Sequence, residues 1–193
     1  PVNKQLCKEI KVFIDQNFKQ IKMTSKVDYR SKENVNHNFF FINKNNANRF
    51  QNSLRKQLAI TSIPRDLILK RRGYKFTLNN FYGNLIDIEF ESFMKKNLVF
   101  HDFLIIAKKV KFIIIRNIPQ LNDDFRDSSH RFISLIDAFY ENKNILSIST
   151  RVELDNIYCG KKNIVELKRT ISRLKEMGSN TYITKNLKNF VKK

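Results

Sequence analysis

The sequence predicts an α/β fold with a βαβ unit at its centre, and three adjacent stretches carry that reading. Residues 111–118, "KFIIIRNI", are a continuous apolar run of strand length, as expected of a strand buried on both faces. Residues 130–144, "HRFISLIDAFYENKN", put Phe132, Leu135, Ile136, Phe139 and Tyr140 on one side of a helix. Residues 145–150, "ILSIST", supply a second buried strand. Two such strands joined by a helix with a single apolar side make a parallel crossover unit.

The remaining elements follow in chain order. "QLCKEIKVFIDQNF" has near-helical apolar spacing at Leu6, Ile10, Phe13 and Phe18, and a strand ending near Asp28 is expected after it. The polar residues 31–38, "SKENVNHN", read as a surface linker at a domain boundary, and a second helix is expected from about Ala47 through Phe50, Leu54 and Leu58. "RDLILK", "YKFTL" and "LIDIEF" are strand candidates, the last two joined by "NNFYGN", where Gly83 and the asparagines tolerate positive φ in a hairpin turn. "FESFMKKN" reads as a short helix. "HDFLIIAKKV" reads as another, with Asp102 as its cap and Phe103, Ile106 and Val110 inward. Asp127 or Ser128 is the expected cap of the central helix. "NIVELKRTISRLKEM" is expected to be extended at first and helical from about Lys168, with Ile171 and Leu174 inward and Arg169, Arg173 and Glu176 on the outer side. The basic end, "NLKNFVKK", is expected to fray.

With 193 residues and 41% hydrophobic content, the chain has enough material for one large or two small domains. The 37 Lys and Arg against 18 Asp and Glu give a formal net charge of +19. That excess points toward nucleic acid, an anionic membrane or acidic protein surfaces. Abundant Lys, Asn and Ile also reflect AT-rich coding sequence, which supplies a compositional origin for the same charge. Cys7 and Cys159 have no partner at CxxC spacing, which excludes a cysteine framework and suits a reducing compartment. "FLIIAKKVKFIII" is too short and too interrupted by lysines to cross a bilayer.

Little in the residues themselves speaks for catalysis. Gly73, Gly83, Gly160 and Gly178 never form the phosphate-cradling GxxxxGK[ST] pattern, and the best buried strand ends on Arg116 and Asn117 instead of an acid. Asp123 and Asp124 read as loop acids, with cation binding as the alternative. Asp137 reads as an edge acid paired with a nearby Arg or Lys, or as a functional buried acid. His37, His101 and His130 lack metal-ligand spacing. "LKRRGYK" and "AKKVK" interleave charge with apolar residues as nucleic-acid surfaces do, and as half-exposed strands also do. Arg169 and Arg173, four apart on one helix, can together grip a phosphate or a carboxylate, or pair locally with Glu166 and Glu176.

Three stretches then resemble one family. "HDFLIIAKKVKFIIIRNIPQL", "HRFISLIDAFYENKNILSIST" and "RTISRLKEMGSNTY" are similar, in that order, to segments of the ATPase family of the bacterial division protein ZapE and its mitochondrial lactation-elevated or AFG-like relatives. Weaker similarity runs back through "LIDIEFESFM" to "VDYR" at Val27–Arg30. The chain departs from the family at His130, Phe103 and Thr150, where the family pattern has Arg, Tyr and Ala.

The resemblance implies a P-loop, AAA+-like ATPase of which this chain is the C-terminal part. Residues 1–30 would end the ATPase core and residues 31–193 would form a family-specific α/β domain, with the Walker motifs upstream. It implies ATP and magnesium as cofactors of the intact protein, with no cofactor and no activity expected of this chain alone. The expected partner is a division-ring or membrane-associated protein, with self-association and nucleic acid as further possibilities. The expected place is the bacterial cytoplasm at the division site, or the mitochondrial matrix. Arg131, Arg169, Arg173 and Arg30 are the candidate phosphate-sensing residues. The alternative is a non-enzymatic basic adaptor for nucleic acid or acidic protein surfaces.

Overall fold

A computed structural model describes residues 40–42, 44–71 and 73–191. The expected first helix, the strand near Asp28, the linker at 31–38, the boundary between 30 and 31, and Arg30 lie outside the described residues. Within them, six strands form one mixed sheet: β1 (Phe40–Ile42), β2 (Arg65–Arg71), β3 (Tyr74–Phe81), β4 (Leu85–Glu89), β5 (Phe112–Ile118) and β6 (Ile145–Thr150), in the order β1-β6-β5-β4-β3-β2. β4, β5, β6 and β1 run parallel, while β3 and β2 fold back antiparallel at one end. Six helices accompany them: α1 (Lys44–Leu58), α2 (Phe90–Met94), α3 (Phe100–Lys109), α4 (Arg126–Glu141), α5 (Ile164–Met177) and α6 (Asn180–Val191).

The βαβ reading holds. β5 and β6 pair in parallel from Phe112↔Ile145 onward, and α4 connects them. Ile113, Ile114 and Ile115 are at most 1% exposed because β5 is covered on both faces, which is why its sequence does not alternate. Side chains of successive strand residues point to opposite faces, so the sheet splits its apolar content. Ile86, Ile88, Ile113, Ile115, Leu146 and Ile148 enter the larger core, together with Phe132, Leu135, Ile136 and Phe139 of α4. Leu85, Phe112, Ile114 and Ile145 enter a smaller core with Tyr82, packed by Leu58 and Ala59 at the end of α1 and by Leu187 of α6.

The smaller face is also polar. Asp87, buried in β4, accepts a two-pronged contact from Arg116 of β5, Nε to Oδ1 at 2.6 Å and Nη2 to Oδ2 at 2.7 Å. Arg55 of α1 reaches the same carboxylate at 3.4 Å. Asn48, Gln51 and Asn52 accept from the remaining donors of Arg116, and Gln51 donates to Ser147 of β6. A fork-shaped guanidinium satisfied on every side is the arrangement in which a charge can be buried at tolerable cost.

Several local expectations change. The β3–β4 hairpin exists with one paired position, Phe81↔Ile86, and the longer hairpin is β2–β3, turning at Gly73 with φ +82°. Helix α1 begins three residues before Ala47. Asp102 sits inside the first turn of α3 and accepts from the Val99 amide at 2.9 Å, so it caps the helix from the third position. Neither Asp127 nor Ser128 caps α4: Asn122 accepts from the amides of Asp124 and Phe125 and starts a 3-10 turn that runs into the helix. "NIVE" is not extended. α5 begins at Ile164, following Asn163 in the left-handed region, and Ile164 and Val165 are exposed. The tail holds a helix through Val191, with Ile183 and Asn186 buried.

Removing the carboxylate at the centre of the polar layer leaves Arg116 without its ionic partner at 14% side-chain exposure. Asp87→Ala is expected to lower stability by about 3 kcal/mol in urea denaturation.

Candidate functional site

The two strongest motif stretches meet on the outer side of α4. Asp137 and Tyr140 lie one turn apart there, and Arg169, Arg173 and Glu176 follow helical spacing on the facing side of α5. Arg173 Nη1 donates to Asp137 Oδ1, and Arg169 Nη2 donates to Asp137 Oδ2 at 3.1 Å. The Arg173 guanidinium carbon also stands 5.0 Å from the Tyr140 ring centroid, a cation–π contact. The Tyr140 hydroxyl donates to Glu176 at 2.8 Å. Tyr182 of α6 stacks on Tyr140 with centroids 6.2 Å apart, and its hydroxyl donates to the Asn144 carbonyl at 3.3 Å. Burial, then the nearby Tyr140 and Glu176, raises the Tyr182 hydroxyl pKa above its ordinary value and keeps it a donor.

Asn144 fixes the other side of this junction, donating to the carbonyls of Ala107 and Val110 at 3.0 and 2.6 Å and so tying the β6 entry to the end of α3. Next to the tyrosine pair an open cleft of about 590 Å3 is lined by Lys143, Arg173, Glu176, Ser179 and Lys185 among others. Its charges are mixed, and its walls are the residues of the interlock itself.

The sequence candidates therefore separate. Arg169 and Arg173 come together on Asp137, the edge-acid pairing expected of that residue, and Asp137 takes the place foreseen for Glu166 and Glu176. Arg173 and Glu176 face α4 instead of solvent. Arg131 points elsewhere, donating to the Met94 carbonyl and to Asn97 at the end of α2. Asp123 is a loop staple: it accepts from the amides of Lys161 and Lys162, both at 3.0 Å, and from the Tyr158 hydroxyl at 2.6 Å. The Lys161 amide, the Tyr158 hydroxyl and the Lys162 amide together hold its carboxyl pKa down at about 2. A Cβ on Gly160 would stand 2.5 Å from Asp123 Oδ1, so the staple also needs glycine there. Sequence reading missed the Asp87–Arg116–Arg55 layer. An acid at the middle of the apolar "LIDIE" and an Arg ending "FIII" were its only signals.

The described residues do not fit a nucleotide with its magnesium. Gly73 and Gly83 sit in turns between strands, Gly178 lies between two helices, and Gly160, in the segment between β6 and α5, is closed in by Asp123 and Tyr158; among the described residues no group of three or more His, Cys, Asp or Glu is placed to hold a metal ion. The acid at a parallel-strand end, Glu89, is engaged by the Asn117 side chain at 2.9 and 3.0 Å. Among the described residues no helix is long and apolar enough to cross a membrane. Fold and site together define an α/β module whose charged and aromatic motif residues are spent on joining helices.

Comparison with known proteins supplies the family. The model of the AFG1-like ATPase family matches residues 3–186, nearly the whole chain, and the chain belongs to that family. It is 27% identical over 141 residues to lactation elevated protein 1 homolog B of Danio rerio, covering 71% of this chain and 28% of that protein. It is 32% identical over 83 residues to cell division protein ZapE of Escherichia coli K12, covering 43% of this chain and 22% of that protein. The matched part thus spans about a quarter of the length of these relatives. No solved structure matches the chain significantly.

Asp137 is 17% exposed and Arg173 19%, whereas Arg169 is 53% exposed. Asp137→Ala and Arg173→Ala are each expected to cost about 1–3 kcal/mol, and Arg169→Ala under about 1 kcal/mol, in chemical denaturation. The Asp123 staple has its own pH signature. Because folding depresses this pKa, its contribution is complete above the ordinary aspartate value of about 3.9 and disappears as pH falls through about 2. Slow hydrogen exchange at the Lys161 and Lys162 amides is expected at pH 5 and should be lost in that lower window, relative to the α4 core.

Proposed function

We propose that this chain is the C-terminal α/β part of an AFG1-like, P-loop ATPase of the AAA+ type, in which ATP and magnesium are held by residues other than those described. The family match along residues 3–186 and the convergence of the family-like motif residues on the Asp137 junction support this reading. The single observation that carries it is that both motif stretches keep their charged and aromatic residues in mutual contact while the described residues offer no phosphate cradle. The module then transmits force or position, and chemistry is done elsewhere in the intact protein.

On this reading Arg169 is the group best placed to approach a nucleotide phosphate or a carboxylate of a neighbouring surface, since it retains exposure while Asp137 fixes its direction. Arg131 and Arg30 are secondary candidates for the same role. The ZapE name supports a link to cell division; a place in the cytoplasm at the division site and a division-ring or membrane-associated partner are what we propose beyond it for the intact protein. A mitochondrial-matrix role in protein quality control is the alternative place we propose for it. Self-association would supply the neighbouring surface.

The experiment is ATP turnover by the intact gene product beside this 193-residue chain. Magnesium-dependent hydrolysis by the first and none by the second is expected, with Arg169→Ala lowering intact-protein turnover roughly tenfold. An intact product that binds no ATP overturns the reading. The basic-adaptor reading would instead be supported by steeply salt-dependent DNA or RNA binding.

A further inference from the structure

The positive charge is not spread evenly. Residues 44–84 contain nine Lys and Arg and a single acid, Asp66. The fold gathers much of this on the β2–β3 hairpin, which ends the sheet. Its register sets Lys70 directly opposite Lys75 and Arg71 opposite Tyr74. Like charges directly opposite in an antiparallel pair are destabilising, and no acid among the described residues forms an ion pair with either lysine. The hairpin is held by Leu69, Phe76 and Leu78 in the larger core, and the facing lysines add a local cost to it.

β2 is the last strand of the sheet, so its outer backbone edge has no strand beside it among the described residues. Lysines on an edge normally discourage pairing with another chain. Here, however, the middle of the strand is Ile68, 50% exposed, with Arg65 on one side and Lys70 and Arg71 on the other. Ile60 and Ile63, in the loop leading into β2, are 70% and 73% exposed. A purely protective edge has no use for an exposed isoleucine at its centre.

We propose that the outer edge of β2 receives an extended, acidic segment of a partner protein as an additional strand. The backbone of Arg65–Arg71 supplies main-chain hydrogen bonds, Ile68 meets an aliphatic side chain of the incoming strand, and Arg65, Lys70 and Lys75 meet its carboxylates. Charge complementarity selects this occupant. Residues 1–39 of the chain hold eight Lys and Arg against four Asp and Glu, and a second copy carries +19, so neither is complementary. Nucleic acid fits less well, because exposed isoleucines offer it nothing and Tyr74 is the one exposed aromatic ring on the hairpin. The inference stands independently of the ATPase reading.

The test uses the 193-residue chain, a fluorescein-labelled peptide of about ten residues alternating Glu and Val, its Lys–Val counterpart, and a labelled oligothymidine of about 20 nucleotides. The Glu–Val peptide alone is expected to raise anisotropy and to slow hydrogen exchange across Arg65–Arg71. The Lys70→Glu/Lys75→Glu double variant should weaken it roughly tenfold, and Ile68→Ser severalfold. Circular dichroism and thermal midpoint check that both variants stay folded, and the changed residues are on the surface. Peptide binding that neither variant alters, or that leaves β2 exchange unchanged, overturns the proposal. Oligothymidine binding tighter than the peptide and sensitive to the same lysines also overturns it, in favour of nucleic acid.

Discussion

Everything distinctive about this domain rests on α4 being asked to satisfy two neighbours at once. Its inner side, Phe132, Leu135, Ile136 and Phe139, is fully buried in the large core. Its outer side must attach α5, in a second layer, and α6, whose Leu187 returns to the smaller core of the sheet. Apolar contact continues into that layer through Leu174 and Met177, and direction comes from Asp137, which holds two guanidiniums of one helix. Hydrophobic burial fixes how close the helices come; the carboxylate fixes which turn of α5 faces which turn of α4. Tyr140 extends the same logic to α6 by presenting one face to Arg173 and stacking on Tyr182.

A second polar device works on the opposite face of the sheet. Asp87 and Arg116 sit where α1 crosses the parallel strands, and every donor of Arg116 finds an acceptor on α1 or β4. The small apolar cluster beside it could bind α1 in more than one register, and the polar layer selects one. The two faces therefore share a design: an apolar patch for adhesion and a carboxylate held by Arg for alignment, buried at Asp87 and partly buried at Asp137.

How much of this was legible in the sequence depended on how local the signal was. The run of isoleucines in β5 and the one-sided stripe of α4 report burial directly, and both were readable with their partners unknown. Ile164 and Val165 misled because β-branched residues resemble strand, yet both are exposed at the start of a helix whose identity is set by Leu167, Leu174 and Met177 further on. The cap of α4 was misplaced because Asn122 acts through an intervening 3-10 turn. The Asp87–Arg116 pair spans 29 residues and depends on strand register, which no periodicity encodes. Asp137 could be foreseen as paired, though its partners lay 32 and 36 residues away on a helix whose facing side was not known.

The motif residues are expected to be energetically joined to each other. A double-mutant cycle on Asp137 and Arg173, read by denaturant unfolding of wild type, Asp137→Ala, Arg173→Ala and the double variant, measures that joining directly. A coupling of at least about 1 kcal/mol is expected, and single-variant losses that add within about 0.3 kcal/mol would show that the two residues are not joined.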